Sequence, residues 1–164
     1  MPWGAPPTLT IPAWMPDADI DRIIEAHREW IARERAKQRP RLRLDPQRVS
    51  ESEARSAVRE LVGMLIEEEA PVLGVEPKRV QIRDQRSRWG SCSTRGTLSF
   101  NWRLVLAPLE VLDYVVVHEL CHLREPNHSR RFWKLVEARR PAWRLQRDWL
   151  HEHGPELLAF RPAA

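Results

Sequence analysis

Apolar residues recur along this chain first at helical spacing, then in alternation, then at helical spacing again. From Asp17 onward, Ile20, Ile23, Ile24, His27 and Ile31 share one stripe. That pattern predicts an amphipathic helix, capped by Asp17 or Asp19 and exhausted near Arg35, before Pro40. His27 stands alone on the stripe and reads as a packed residue. A second helix is signed at its start by Ser50 and Glu53, at capping-box spacing. Its buried face is Ala54, Ala57, Val58, Leu61, Val62 and Leu65, and the acidic run Glu67-Glu68-Glu69 is expected as a solvated end before Pro71.

After Gly74 the period changes to two. Val80–Asp84 and Arg86–Ser91 read as strands, the second interrupted by Gly90, and the turn Ser93–Gly96 leads into a third, Thr97–Trp102. The expectation is a small antiparallel three-stranded sheet, whose exposed edge could take up a peptide as an additional strand. Pro108 then suits the first position of a helix carrying Leu112, Val115, Val116, Leu120 and Leu123 on its apolar side, and Pro126 forces a turn. Ser129 is placed to cap a further helix with Phe132, Trp133, Leu135 and Val136, ending before Pro141. A last helix is expected to bury Trp143, Leu145, Trp149 and Leu150, with Gly154 beyond its C-terminus and His151 and His153 near its dipole's negative end.

Length and charge narrow the picture. A chain of 164 residues supports one well-cored domain. Residues 1–45 are expected as a Pro/Trp-rich start and a basic amphipathic helix, and residues 46–164 as the domain proper. The net charge of +4 is unevenly spread, with eight Arg and Lys between Arg28 and Arg48 against Glu29, Glu34 and Asp45. Such a stretch could touch nucleic acid, but no base-reading motif accompanies it, so a solvated face and linker is the preferred reading. Met1–Pro7 has neither a basic start nor an apolar run, and nothing suggests a membrane partner. Cys92 and Cys121 are too few for a disulfide scaffold and are expected to be reduced, in a cytoplasmic protein.

The chemistry lies in one run, His118-Glu119-Leu120-Cys121-His122, followed by His128. On a helix, residues four apart face the same way, so His118 and His122 can address one ion. The Pro126 turn can bring His128 back over the pair. Three imidazoles with a fourth position open is the coordination of a catalytic Zn2+. Glu119 flanks that face and can reach a water as general base without binding the metal. Asn101, on the strand before this helix, is a candidate for orienting substrate backbone. Tyr114, Arg88, Arg103 and Arg131 are candidate oxyanion donors, with Tyr114 expected in the core. Metzincins share the third-histidine spacing, but they need Gly where Glu125 stands, and Met1, Met15 and Met64 leave no Met-turn after the site.

From Val80 to His153 the chain resembles the YgjP-like family of zinc metallopeptidases, relatives of the SprT-like and WLM zincins. The likeness is carried by Arg88-Trp89-Gly90-Ser91-Cys92, Leu98–Leu104, Tyr114–Leu123, and Asn127-His128-Ser129 with Phe132-Trp133. It implies an α+β zincin-like minidomain, His118, His122 and His128 as metal ligands, Glu119 as the base, and peptide or protein substrates. By comparison with the family, the β-rich N-terminal portion usual in its members is expected to be missing or shortened here. The same residues are also compatible with two other functions: a metal-stabilised module binding protein or nucleic acid, and a protease recruited to DNA.

Overall fold

The computed structural model describes residues 12, 14–27 and 50–162. Residues 1–40 and 41–164 form separate units. In the first, α1 spans Asp17–Ala26, with no buried residue, and the ring of His27 closes it, Nδ1 lying 2.8 Å from the Ile23 carbonyl. The helix therefore stops short of Arg35. The basic stretch from Arg28 to Arg48 lies outside the described residues.

The second unit opens with α2, Glu51–Leu73, started by the expected capping box: the Ser50 side chain accepts from the Glu53 backbone, and the Glu53 carboxylate from that of Ser50. It runs past the acidic triplet and through Pro71, ending at Gly74 in the left-handed conformation (φ 63). Pro71 stands in the last turn, where it forfeits a single backbone hydrogen bond. The triplet is not a solvated end, because Glu69 is fully buried.

Three strands follow: β1 at Arg79–Arg83, β2 at Gly90–Cys92 and β3 at Thr97–Asn101. The order is β1-β3-β2, with β2 antiparallel to β3 through the Ser93–Gly96 turn, as expected. β1, however, pairs in parallel with β3, Val80 opposite Leu98 and Ile82 opposite Phe100, so the sheet is mixed rather than antiparallel. The segment after β1 crosses to the far side of β3, where only Gly90–Cys92 pairs as a strand. Alternation fixes which side chains share a face; it does not fix strand direction or neighbour.

From β3 the chain enters a 3-10 turn, Trp102–Leu106, then α3 at Leu109–Cys121, α4 at Arg130–Arg139 and α5 at Trp143–Ala159. Ten of the thirteen residues of α3 are buried, so it is enclosed on every side rather than along one stripe. It packs against α2, α4, α5, β2 and β3. Ser129 caps α4 as expected, its hydroxyl accepting from the Phe132 amide. α5 does not stop at Gly154. It continues through Gly154 and Pro155, and Gly154 is buried because the Trp89 ring lies against it, 3.2 Å from where a Cβ would stand. Leu145, expected inside, is 69% exposed. His153 lies within the helix, stacked on Trp149 and 3.1 Å from its carbonyl, so the end-of-helix role expected for it does not hold.

A buried charge network ties the helices together. Arg140 places two nitrogens on Asp113, at 2.5 and 2.6 Å, and a third contact on Glu69 at 2.9 Å; Arg139 reaches the other Glu69 oxygen at 2.8 Å. Residues from α2, α3 and α4 with its C-terminal flank are thereby locked around one point.

Candidate metal centre

His118 lies in the last turn of α3 and His122 is its C-cap, one helical turn on. The backbone then turns through Leu123–Asn127, a segment tied to α2 by Arg124, which donates to the Leu73 carbonyl at 3.1 Å. That turn returns His128 to the pair. The Nε2 atom of His118 lies 3.2 Å from that of His122 and 3.0 Å from that of His128. Among the described residues this is the one group of three or more His, Cys, Asp or Glu side chains drawn close enough for a metal ion.

The donor chemistry fits a divalent cation. Nitrogens about 2.0–2.1 Å from one ion in tetrahedral array stand a little over 3 Å apart, as these do. His122 Nδ1 is 3.1 Å from the Glu125 carbonyl, which can only accept, so the proton sits on Nδ1 and the Nε2 lone pair points inward. His118 Nδ1 meets the Tyr114 hydroxyl at 3.4 Å. Burial, then the neighbouring His122 and His128, push the His118 imidazolium down to about 3, and burial also lowers His122. Both rings are neutral at physiological pH, the form that ligates.

The rings have an aromatic floor. Phe132, fully buried, stacks on His122 at 4.4 Å between centroids and presents edges to His118 and His128 at 4.8 and 4.7 Å. Trp133 stacks on His128 at 5.5 Å and is itself stacked on Trp143 at 4.2 Å. The N-cap at Ser129 sets where these rings fall. Their supporting role was not visible from spacing, although both belong to the motif that carries the family likeness.

Glu119 is 6% exposed and lies against β2. A Cβ on Gly90 would stand 2.5 Å from its Oε1 and 2.7 Å from its Cγ. Burial pushes the carboxyl up to about 8, against the opposing pull of Arg88. A cation at the histidines would draw it down again. Cys92 borders the same space, its thiol pushed up by burial and by the Glu119 charge, and Cys121 is buried; neither is in a disulfide.

Asn101 takes a different place from the one expected. It is fully buried, its amide donating to the carbonyls of Gln85 at 2.7 Å and Arg88 at 3.1 Å, while its Oδ1 accepts from the Arg103 amide. It shapes the segment leading to Gly90 from beneath. Arg103 is likewise committed, buried with its guanidinium on Asp84 and on the Phe160 carbonyl. Tyr114 is buried as expected, yet its hydroxyl still meets a histidine of the site.

Two cavities flank the centre. A groove of about 940 Å³ runs between the β2–β3 hairpin and the turn bearing His128, with Gly90, Cys92, His118 and Glu119 in its wall. A smaller one of about 390 Å³ lies on the Tyr114 side, between Trp89 and α5.

An α+β unit with a histidine cluster at the end of its buried helix, open to a long groove, is that of a metallopeptidase. Residues 45–153 match the YgjP-like metallopeptidase domain, and the chain belongs to that family. Among solved structures it is similar to the crystal structure of the metallopeptidase zymogen of Pyrococcus abyssi abylysin, at 25% identity and a TM-score of 0.48, over 58% of this chain and 92% of that one. No curated protein matches. Among the described residues, no helix is long and apolar enough to cross a membrane.

Proposed function

We propose that this protein is a zinc-dependent peptidase that hydrolyses peptide bonds with water, with His118, His122 and His128 as ligands and Glu119 as general base. The observation that carries the proposal is the meeting of three Nε2 atoms, 3.0 and 3.2 Å from the central one, on the helix that also carries the buried Glu119. Zinc held there supplies Lewis-acid activation of water and of the scissile carbonyl. The rest is done by the chain. Glu119 accepts the proton of the attacking water and delivers it to the leaving amine nitrogen. Gly90 leaves room for that carboxylate beside the groove. The Glu125 carbonyl holds the His122 imidazole in the ligating tautomer, and the Tyr114 hydroxyl stands beside the outer nitrogen of His118. The Tyr114 hydroxyl, pushed up to about 12 by burial, stays protonated throughout the working pH range. Supporting the enzymatic reading over a closed structural metal site is the groove itself, since a structural site has no need of an open face or of a base beside a ligand.

The test is Glu119→Gln with metal content measured alongside. We expect bound zinc to be retained, near one per chain, and peptide hydrolysis to fall by about 10²–10⁴-fold. Undiminished hydrolysis would remove Glu119 from the role of base.

A further inference from the structure

Both cavities beside the metal centre are basic, and the bias is local. The whole chain is nearly balanced, with 27 Lys and Arg against 23 Asp and Glu. The walls of the two cavities, by contrast, carry Lys78, Arg88, Arg95, Arg124 and Arg147, and apart from Glu119 the single acid among them is Glu76. Among the described residues, no carboxylate makes a close ion pair with Lys78, Arg88 or Arg95, although Arg88 stands near enough to Glu119 to draw on its carboxyl. Arg124 spends one nitrogen on the Leu73 carbonyl. Arg147 meets Asp148, its sequence neighbour, at 2.8 Å, but both side chains are about half exposed and such a pair is weak.

Arg88 lines both cavities, and the smaller one joins it to Arg147 and His151 across an apolar wall of Trp89, Val115 and Leu150. A short carbon stem can lie on that wall while its charged end meets the guanidinium groups. Building upon the peptidase reading above, we propose that the enzyme selects acidic peptide segments, with an Asp or Glu side chain held between Arg88 and Arg147 next to the scissile bond and further acidic residues met by Lys78 and Arg95 along the groove. An acidic polypeptide fits better than nucleic acid because these cations border the very groove that opens on the hydrolytic centre. The planar guanidinium groups of Arg88 and Arg147 also match a planar carboxylate.

The test separates binding from cleavage. Fluorescent peptides of one length and backbone, flanking the same central residues with Glu, Gln or Lys, are titrated against zinc-loaded full-length Glu119→Gln. We expect the Glu peptide to bind about tenfold more tightly than its Gln isostere at low salt, with the preference shrinking as salt rises. Arg88→Gln should reduce the preference, and Arg147→Glu should turn it toward the Lys peptide. Equal binding of the three peptides would overturn the proposal. So would a preference that survives both substitutions, or a single-stranded oligonucleotide of equal charge that competes as well as the Glu peptide. Acid-selective binding in a wild-type protein that cleaves none of the peptides would sink the peptidase reading while leaving this selectivity standing.

Discussion

Gly90 and Glu119 occupy one another's space: the carboxylate lies where a side chain at position 90 would have to be, 2.5 Å from a Cβ built there. Strand β2 can approach the histidine-bearing helix α3 this closely only because residue 90 has no side chain. Gly90→Ala is therefore expected to push the Glu119 carboxylate off its position without touching the histidines. If Glu119 is the base proposed above, displacing it by about 1 Å costs on the order of 10²-fold in rate. Turnover should fall by that much while zinc content stays constant; simultaneous loss of zinc would show that the substitution disturbs α3 itself.

Tyr114→Phe removes the hydroxyl that meets His118 Nδ1 at 3.4 Å. Partners of this kind are worth about 10–100-fold in metal affinity, and a contact this long belongs at the lower end, about tenfold. Competition with a metal-sensitive dye should show that loss, with the urea midpoint almost unmoved because the ring stays in place.

Glu69 gives the stability of the fold a defined pH dependence. Burial alone would raise its carboxyl, but Arg139 and Arg140 more than offset this and hold it below its ordinary value of 4.5. Its contribution is thus complete above that value and disappears as pH falls through the depressed one. Wild-type stability should drop steeply in that acidic window. Glu69→Gln should be less stable than wild type by about 3–5 kcal/mol at neutral pH and should lose that steep component. Urea unfolding at neutral and acidic pH reads both; parallel curves for the two proteins would dismiss Glu69 as the source.

Asn101→Ala separates a structural amide from one that touches substrate. Two carbonyls, of Gln85 and Arg88, lose their donor, which costs about 1–3 kcal/mol if water does not replace it. Lower stability with KM unchanged is the expected result. A raised KM at unchanged stability would restore Asn101 to the substrate.

The parts of this molecule legible in its sequence are those written locally. Ser50 with Glu53, and Ser129, mark helix starts that the backbone adopts, since a cap is satisfied within four residues. His118 and His122 are four apart on a helix, so their convergence follows from helical geometry alone. The remainder depends on distant partners. β1 runs parallel to β3 because of where the chain crosses, which no alternation of Val80 and Ile82 records. Glu69 is buried because Arg139 and Arg140, some seventy residues later, come to meet it. Gly154 sits mid-helix because Trp89 needs its empty side, and from sequence alone it looks like a terminator.

α3 is enclosed by the rest of the unit, and its apolar neighbours make a core that asks nothing of the ion. Two of the three imidazoles thus sit at the end of the best-protected element, whereas His128 is exposed on a short turn. For the proposed site, exchange of the cation with its surroundings is expected to run through that turn, not through unfolding. If the proposed zinc site is right, a chelator is expected to leave behind a chain that still gives a native circular-dichroism spectrum, so a stored sample can be folded and yet inert, and only metal analysis will tell it from an active one.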